Sequence, residues 1–312
     1  MLFRSNILVC VDADLAVLRR PPAGVLPPGS HDMAREHRVL TGLEGRLEFA
    51  PRSLHFCDDA SVAGAPFQLL RYYAGRPVRG DQLDPLPPTA ETGALLSRML
   101  IDTLAAIHAV DVEAAGLGEL GKPEGFLTRA ARGWIGRARA FKGDQLSGSA
   151  AYVASWLSDR NPLACAAPTL LHNDFKLDNV LLRQDAIEPL VVLDWDMATR
   201  GDPLSDLATL LSYWTEPGDP DCMHRLAQMP TANAGFMSRA EAAQAYAERT
   251  GRGLEGFDYA RVLAIFRLAV VFHQLHARYM GEGTTDPVRQ GFAALADEIF
   301  DFAATVARGE RF

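Results

Sequence analysis

Short apolar runs separated by turn residues occupy the first part of the chain, and longer helical patterns occupy most of the rest. From Asn6 to Leu18, two apolar runs flank a polar turn at residues 12–14, which predicts a β-hairpin. Residues 33–43 have the apolar spacing of a short helix, and either Ser30 or Asp32 can cap its first turn. The chain therefore begins with strands and then turns to helix.

A second group of patterns divides the chain. Residues 66–73 predict a buried strand, and Gly75-Arg76-Pro77 ends it. Residues 92–110 then have the periodicity of a long helix. We therefore predict an N-terminal lobe over residues 1–75 and a C-terminal lobe over residues 76–312.

The second lobe contains one more strand signal. Two β-type runs, at residues 180–182 and 190–193, flank a polar turn and predict a second hairpin. After them the pattern is mostly helical, with Asp202 as the expected N-cap and Pro203 at the first helical position. The patterns together favour an α+β protein with strands in the first lobe and mainly helices in the second.

Composition narrows the class of protein. The 312 residues are 48% hydrophobic and 22% charged, which is the balance of a soluble globular enzyme with a large core. The net charge of −8 argues against a nucleic-acid partner, because such binding depends on clustered Lys and Arg. The four cysteines form no CxxC pair, which disfavours both a zinc site and a disulfide framework.

Location follows from what the chain lacks. The segment Met1 to Val9 has neither the apolar run nor the cleavage site of a signal peptide. No uninterrupted apolar stretch reaches the length of a membrane span. We therefore expect a cytoplasmic protein with no membrane partner, and the sequence leaves the oligomeric state open.

One polar segment has the residue types that phosphoryl transfer needs. Asp174 and Asn179 have the spacing of the catalytic Asp and the metal-binding Asn in the kinase loop H-R-D-x-x-x-x-N. The second hairpin then returns the chain to Asp194 and Asp196. We predict that Asp174 accepts the proton of the substrate hydroxyl, and that Asn179, Asp194 and Asp196 provide oxygen ligands for Mg²⁺. His172 precedes the base and is predicted to fix the loop by hydrogen bonding.

The text around these residues resembles a known family. The string His-Asn-Asp-Phe-Lys-Leu-Asp-Asn, followed by Leu-Asp-Trp-Asp and Gly-Asp-Pro-Leu-Ser-Asp-Leu, is similar to the aminoglycoside phosphotransferase family. The resemblance runs from about Ser5 to Pro287. It is nearest to the phosphotransferase domain that some animal proteins carry fused to an acyl-CoA dehydrogenase, and to free-standing bacterial relatives of that domain.

The resemblance implies a fold and a set of roles. The fold would be that of protein kinases, with a small antiparallel-sheet lobe and a larger, mainly helical lobe. Arg19 would contact the nucleotide phosphates with Glu36 as its helix partner, and Asp206 would support the catalytic loop. The strand residues that would bind the adenine edge are Leu69, Leu70, Arg71 and Tyr72. The implied cofactors are Mg²⁺ and ATP, with GTP as an alternative donor.

The sequence departs from the family pattern at two places. Relatives usually carry an acidic residue where Arg71 stands, which leaves the nucleotide preference open. Relatives also have a glycine-containing phosphate loop ahead of Ser5-Asn6, where this chain offers only residues 1–4. Either the natural chain begins further upstream, or the protein is a weakened kinase. A non-catalytic scaffold that binds a ligand without transferring phosphate is a further alternative to an active enzyme.

The predicted acceptor region is basic. The helical segment Phe126 to Lys142 carries five Lys or Arg residues and no acidic residue. We expect Arg132, Trp134 and Arg139 to meet an anionic small-molecule acceptor, such as a hydroxy acid or a hydroxyacyl-CoA. The competing interpretation of this segment is a solvated helix face. The competing acceptor is an aminoglycoside, although a polycation would favour carboxylates in this position.

Overall fold

The structure is a computed structural model that describes residues 5–11, 14–21, 32–143, 146, 148–165 and 167–312. Three features of the sequence analysis lie outside these ranges: the turn at residues 12–13, the candidate cap Ser30, and residues 1–4, where a phosphate loop would stand.

The first lobe is built on a four-stranded antiparallel sheet. Its strands are β1 (Ser5–Val11), β2 (Asp14–Arg20), β3 (Ser53–Cys57) and β4 (Phe67–Arg71), in the order β1-β2-β4-β3. The predicted hairpin is confirmed, because β1 pairs with β2 from Ser5 opposite Arg20 to Val11 opposite Asp14. Strand β3 was not predicted, since this short strand mixes polar and apolar residues and buries none of them fully.

Helix α1 (Met33–Leu43) has the predicted bounds. Asp32 is its N-cap and accepts a hydrogen bond from the Arg35 amide at 2.9 Å, which satisfies one of the free donors of the first turn. The helix buries Val39, Leu40 and Leu43, and these side chains belong to the main core. A four-residue helix, α2 (Ala60–Ala63), precedes β4.

Strand β5 (Arg76–Pro77) pairs with the hairpin formed by β7 (Val180–Leu182) and β8 (Pro189–Val192). The chain thus passes from one sheet to another between β4 and β5, next to the lobe boundary that the apolar and turn residues predict. The two long helices are present as predicted, as α3 (Ala90–His108) and α4 (Phe126–Lys142).

The remaining elements surround the catalytic loop. They are α5 (Gly148–Ser158), β6 (Thr169–Leu171), β9 (Thr199–Gly201), α6 (Pro203–Ser212), α7 (Asp221–Leu226), α8 (Arg239–Thr250), α9 (Phe257–Gly281), α10 (Pro287–Gln290) and α11 (Phe292–Ala307). Strands β6 and β9 pair with each other. Asp202 caps α6 and Pro203 follows it at the first helical position, as expected.

Helix α9 forms the centre of the second lobe and packs against α4, α6 and α11. Its 25 residues are long and apolar enough to span a membrane by length and composition, and within the described residues no other helix meets that test. Arg261 and Arg267 interrupt the apolar residues of α9, so the sequence did not predict a membrane span there. Its most apolar window is 61% buried inside the molecule, as in the core helix of a globular protein.

Candidate active site

The predicted catalytic loop lies between β6 and β7 and is held from below by one carboxylate. Asp206, near the start of α6, accepts hydrogen bonds from the amides of His172 at 2.6 Å and Asn173 at 2.8 Å. Asn173 has a φ of 64°, a left-handed conformation that asparagine tolerates better than most residues. The loop backbone is therefore fixed at the two residues that precede Asp174.

Asp206 is fully buried and is itself held by His108. The His108 Nε2 atom lies 3.3 Å from Asp206, and its Nδ1 atom lies 2.6 Å from the Tyr246 hydroxyl. Burial acts to raise the pKa of Asp206, but the hydrogen bond and charge of His108, with those of His172, bring it below its ordinary value. The group is thus an anion that holds the loop rather than a proton donor.

His172 connects this loop to the segment that carries Asp194. Its Nε2 atom donates to the Leu193 carbonyl at 2.9 Å, and its Nδ1 atom accepts from the Asp174 amide at 3.3 Å. The ring is completely buried and packs against Phe175 and Trp195. This geometry agrees with a role in fixing the loop.

The carboxylate of Asp174 has a defined set of polar neighbours. Its Oδ1 atom accepts from the Tyr213 hydroxyl at 3.1 Å, and its Oδ2 atom accepts from the Asn179 amide at 3.3 Å. The Asn179 amide also donates to the Asp174 carbonyl at 2.8 Å, so that the side-chain oxygen of Asn179 is directed to other partners. The Lys176 ammonium lies 3.9 Å from Oδ2.

Lys176 provides positive charge beside the base. Its ammonium lies 4.5 Å from the centre of the Tyr213 ring. Burial acts to lower the pKa of Lys176, but the charges of Tyr213 and of three carboxylates, at Asp174, Asp178 and Asp194, raise it above its ordinary value. Lys176 is therefore fully protonated at neutral pH.

Arg19 joins the two lobes. Its Nε atom lies 2.9 Å from Glu36 on α1, and its Nη2 atom lies 2.7 Å from Asp194 in the second lobe. Gln68 on β4 donates to the same Glu36 oxygen at 2.7 Å. Arg19 and Glu36 are both buried, so the packing around them fixes the charge and the size of the side chain at each position. The two residues that the resemblance linked do meet, and Asp194 is the third member of their network.

The two aspartates after β8 have different surroundings. Asp194 has a left-handed φ of 72° and lines the cleft beside Asp174. Asp196 is buried and does not line this cleft; Arg35 of α1 donates a hydrogen bond to its carbonyl. The described residues include no cluster of three or more His, Cys, Asp or Glu side chains arranged to hold a metal. The geometry thus brings Asn179 and Asp194 to the base, and it places Asp196 against α1.

The predicted adenine-binding residues lie along β4 and just beyond it. The Arg71 amide is bonded to the Arg52 carbonyl at 3.0 Å, and the Tyr72 amide is bonded to the Leu15 carbonyl at 3.4 Å. Leu70 is buried, while Arg71 and Tyr72 are exposed. Leu69, Leu70, Arg71 and Tyr72 are not part of the described lining of the cleft that holds Asp174, so a role in nucleotide binding stays a prediction.

A cleft of about 570 Å³ extends from the catalytic loop into the second lobe. Its polar end is lined by Arg19, Asp174, Lys176, Asp178 and Asp194. Its other end is mainly apolar and is lined by Leu268, Val271, Phe272, Leu275, Val288 and Phe292, from α9, α10 and α11. The two ends together would hold a small molecule that has both a polar and an apolar part.

Of the three side chains predicted to contact the acceptor, only Trp134 lines this cleft. Arg139 lines a separate depression between α4 and α5, and Arg132 is exposed on the surface of α4. Consecutive helical residues point in different directions, so a run of cations along one helix cannot all face one cleft. The structure adds Arg267 of α9 instead, whose guanidinium lies 5.6 Å from the centre of the Trp134 ring.

Sequence reasoning assigned no role to Lys176, Tyr213 or Arg267. Lys176 stands within the motif and could have been noticed from its position two residues after the base. Tyr213 and Arg267 have no local signal, because they lie at the C-cap of α6 and on α9 and reach the loop only through the packing of these helices.

Comparison with known proteins is consistent with this geometry. The model of the phosphotransferase enzyme family matches residues 5–265. Mouse acyl-CoA dehydrogenase family member 10 is 26% identical over 298 residues, which cover 95% of this chain but only 27% of the mouse protein. The chain thus spans a minor part of that relative's length.

Solved structures share the fold. A protein of Ralstonia eutropha assigned to the aminoglycoside phosphotransferases is 23% identical, with a TM-score of 0.82 over 99% of this chain and 91% of that one. A thermostable mutant of aminoglycoside phosphotransferase APH(4)-Ia, in complex with AMP-PNP and hygromycin B, is 18% identical, with a TM-score of 0.60 over 99% and 92% of the two chains. The predicted α+β, protein-kinase-like fold is confirmed.

Proposed function

Because the chain belongs to the phosphotransferase enzyme family, we propose that it is a small-molecule kinase that transfers the γ-phosphoryl group of Mg-ATP to a hydroxyl of a small, anionic metabolite. A hydroxy acid or a hydroxyacyl-CoA is the acceptor that we favour, and GTP is an alternative donor. We also propose that residues 1–75 and 76–312 are its two lobes and that it acts in the cytoplasm.

One observation carries the proposal: Asp174 and Asp194 line one cleft together with Arg19 and Lys176, and the buried Asn179 donates a hydrogen bond to Asp174. Phosphoryl transfer needs a hydroxyl to be positioned and negative charge on the transferred group to be neutralised. A carboxylate, a neutral amide and two cations at one end of a cleft supply these functions. The small-molecule complex of APH(4)-Ia supports the same use of this fold.

The donor set fits Mg²⁺ delivered with a nucleotide. Mg²⁺ binds hard oxygen ligands, and in kinases it takes one or two from the protein and the rest from phosphates and water. The Asn179 amide nitrogen is occupied by Asp174, which leaves its oxygen as the atom that can bind a cation. The carboxylate of Asp194 is the second ligand in this proposal, and Asp196, which is buried and outside the described lining of the cleft, stays a prediction as a third. When bound, the ion would neutralise phosphate charge.

The chain's own residues would do the rest. Asp174 would accept the proton of the acceptor hydroxyl, while Tyr213 and Asn179 keep its two oxygens in place. Lys176 would stabilise charge on the transferred group as it moves toward the acceptor. Arg19 would bind the nucleotide phosphates, since its bidentate donors suit them better than a lysine would.

The acceptor end of the cleft supports an anion with an apolar part. Its lining from α9 to α11 is hydrophobic, and Arg267 is the cation that α9 adds to it; Arg225 of α7 also lines the cleft but is paired with Asp221 and Glu298. A polycationic aminoglycoside would need carboxylates in that position to offset the cost of desolvating its ammonium groups. The arrangement therefore favours the anionic acceptor over the antibiotic.

The proposal can be tested by phosphoryl transfer from γ-labelled Mg-ATP to panels of hydroxy acids, hydroxyacyl-CoAs and aminoglycosides. We expect labelled product from the anionic acceptors, and Asp174→Asn should reduce kcat by about 10²- to 10⁴-fold without unfolding the protein. Asp185→Asn is the matched control, because it removes an exposed carboxylate in the β7–β8 turn.

Two outcomes would contradict the proposal. Product from aminoglycosides alone would refute the anionic acceptor. Binding of Mg-ATP without transfer to any acceptor or to water would instead favour the non-catalytic scaffold.

A further inference from the structure

Two arginines from different helices share one tryptophan ring at the edge of the cleft. The guanidinium of Arg137, on α4, lies 4.3 Å from the centre of the Trp134 ring. The guanidinium of Arg267, on α9, lies 5.6 Å from the same centre. An indole stabilises a nearby cation through its quadrupole, so this ring can hold both charges at short range.

Within the described residues, no ion pair involves Arg137 or Arg267. Arg200 and Arg239, by contrast, each pair with a carboxylate. Partial burial, and then the charge of Arg267, lower the pKa of Arg137. Two like charges brought together without a carboxylate leave an electrostatic requirement that an anion would satisfy.

Arg267 connects the Trp134 ring to the catalytic loop. Its Nη2 atom donates to the Asn173 carbonyl at 2.7 Å, and its Nη1 atom lies 3.5 Å from the Thr209 hydroxyl. A guanidinium has five N–H donors, so these contacts leave donors for a ligand. Trp134 and Arg267 also line the cleft, next to its apolar end.

We propose that Arg137 and Arg267, held by Trp134, form a subsite for the anionic group of the acceptor, and that Arg267 transmits its occupancy to the catalytic loop through Asn173. The proposal rests on the kinase function and adds the residues that select the acceptor. Asn173 directly precedes Asp174, so an anion that fixes Arg267 also fixes the base.

The apolar lining beside the subsite specifies the rest of the ligand. Leu268, Val271 and Leu275 lie on α9 beyond Arg267, toward Phe272 and Phe292. A ligand with its anion on the arginines can place a hydrocarbon part along this surface. The anion itself can be a carboxylate or a phosphate, because both match the planar donors of arginine.

A binding experiment tests the subsite without turnover. Isothermal titration calorimetry would compare the binding of hexanoate with that of hexan-1-ol. Inorganic phosphate would be titrated separately, while Mg-AMP-PNP fills the nucleotide site. We expect the wild-type protein to prefer an anion, and Arg137→Gln or Arg267→Gln to weaken that binding by about 10- to 100-fold. Preference for hexanoate would identify a carboxylate, and preference for phosphate would identify a phosphate group.

Arg160→Gln is the matched control. Arg160 also stacks on a tryptophan, with its guanidinium 4.2 Å from the centre of the Trp156 ring, but Trp156 does not line the cleft, whereas Trp134, which holds Arg137, does. We expect this variant to bind the probes as the wild type does. Arg137 is exposed, so Arg137→Gln tests the subsite even if Arg267→Gln fails to fold.

A kinetic arm tests the link to the loop. With 3-hydroxyhexanoate as acceptor, Arg137→Gln should mainly raise KM, whereas Arg267→Gln should raise KM and also lower kcat. With hexane-1,3-diol, which lacks the anion, both variants should change KM by less than about twofold, because no charge is recognised. Arg267→Lys should recover part of the affinity for the acid but not the wild-type kcat.

The two ideas fail separately. Anion binding that is equal in the wild type and in both variants, or no preference for either anion over hexan-1-ol, would overturn the subsite. If the variants lose anion binding as expected but the wild type transfers phosphate to no acceptor, the subsite is supported and the kinase function is refuted.

Discussion

Single side chains in this protein have narrow and separable tasks. Asp174 is flanked by Tyr213 on one oxygen and by Asn179 on the other, which sets the direction of its carboxylate before any substrate arrives. Catalysis by positioning depends on such preorganisation, because a misplaced base loses most of its effect. The residue that holds this arrangement is Asp206, which contacts the backbone of the loop rather than the cleft.

The first prediction concerns Asp206. Asp206→Asn replaces an oxygen that accepts from backbone amides by a group that can donate, so at least one buried donor loses its partner. We expect the free energy of unfolding at neutral pH to fall by about 3 kcal/mol, measured by urea denaturation. Asp202→Asn, at the N-cap of the same helix, should change it by less than about 0.5 kcal/mol because asparagine also caps helices.

The difference in stability between the wild type and Asp206→Asn should depend on pH. The pKa of Asp206 is lowered in the folded state, so its contribution to stability is complete above the unfolded pKa of about 4 and is lost as the pH falls through the folded pKa. The difference in unfolding free energy between the wild type and Asp206→Asn should be constant from about pH 7 to 5 and should narrow below about pH 4. A difference that widens in acid would contradict this assignment.

At the scale of elements, β2 contacts the second lobe through Arg19, and α1 contacts it through Arg35. Arg19 on β2 contacts Glu36 on α1 and Asp194 after β8, so the three elements share a single buried charge network. Breaking such a network on one side leaves the remaining charges unbalanced. The orientation of the first lobe over the catalytic loop therefore depends on Glu36.

We predict that Glu36→Gln lowers kcat/KM for ATP by about 10- to 100-fold, because Arg19 loses one of its two carboxylate partners and is drawn toward Asp194. Steady-state kinetics at saturating acceptor would measure the change. Glu44→Gln is the control at the end of the same helix, where the ion pair with Arg52 is exposed and contributes little. Equal effects from the two substitutions would contradict the role of Glu36.

Elements with strong local signals were predictable. The bounds of α1 and α4 follow from their apolar spacing and turn residues, and those of α3 do so within two residues. The short strands β3, β6 and β9 had no such signal, because three to five residues carry too little periodicity and their partners are distant in sequence. Their formation depends on strand pairing rather than on local preference.

At the scale of the whole molecule, the cleft is made by segments that are distant in sequence. Its polar end comes from the catalytic loop and β2, and its apolar end comes from α9, α10 and α11. A nucleotide would contact both lobes, since Arg19 and Asp194 belong to different ones. Ligand binding should therefore stabilise the whole fold and not one lobe alone.

The last prediction follows from this arrangement. AMP-PNP at about one hundred times its Kd should raise the Tm by about 5 °C in the presence of Mg²⁺, measured by calorimetry. Chelation of the metal with EDTA, or the substitution Asp194→Asn, should remove most of this shift. An equal shift with EDTA would mean that Asn179 and Asp194 do not hold a metal, and Asp185→Asn serves as the control.

The sequence by itself determined the catalytic string, because Asp174, Asn179 and Asp194 are close in the chain and a short hairpin brings them together. The resemblance to a family also predicted the pairing of Arg19 with Glu36. Only the tertiary structure decided which of these cations line the cleft: Arg267 does so, and Arg132 and Arg139 are not part of its described lining. The physical reason is that a local pattern fixes the conformation of a segment, whereas the direction of a side chain on a long helix depends on which neighbouring helix it packs against.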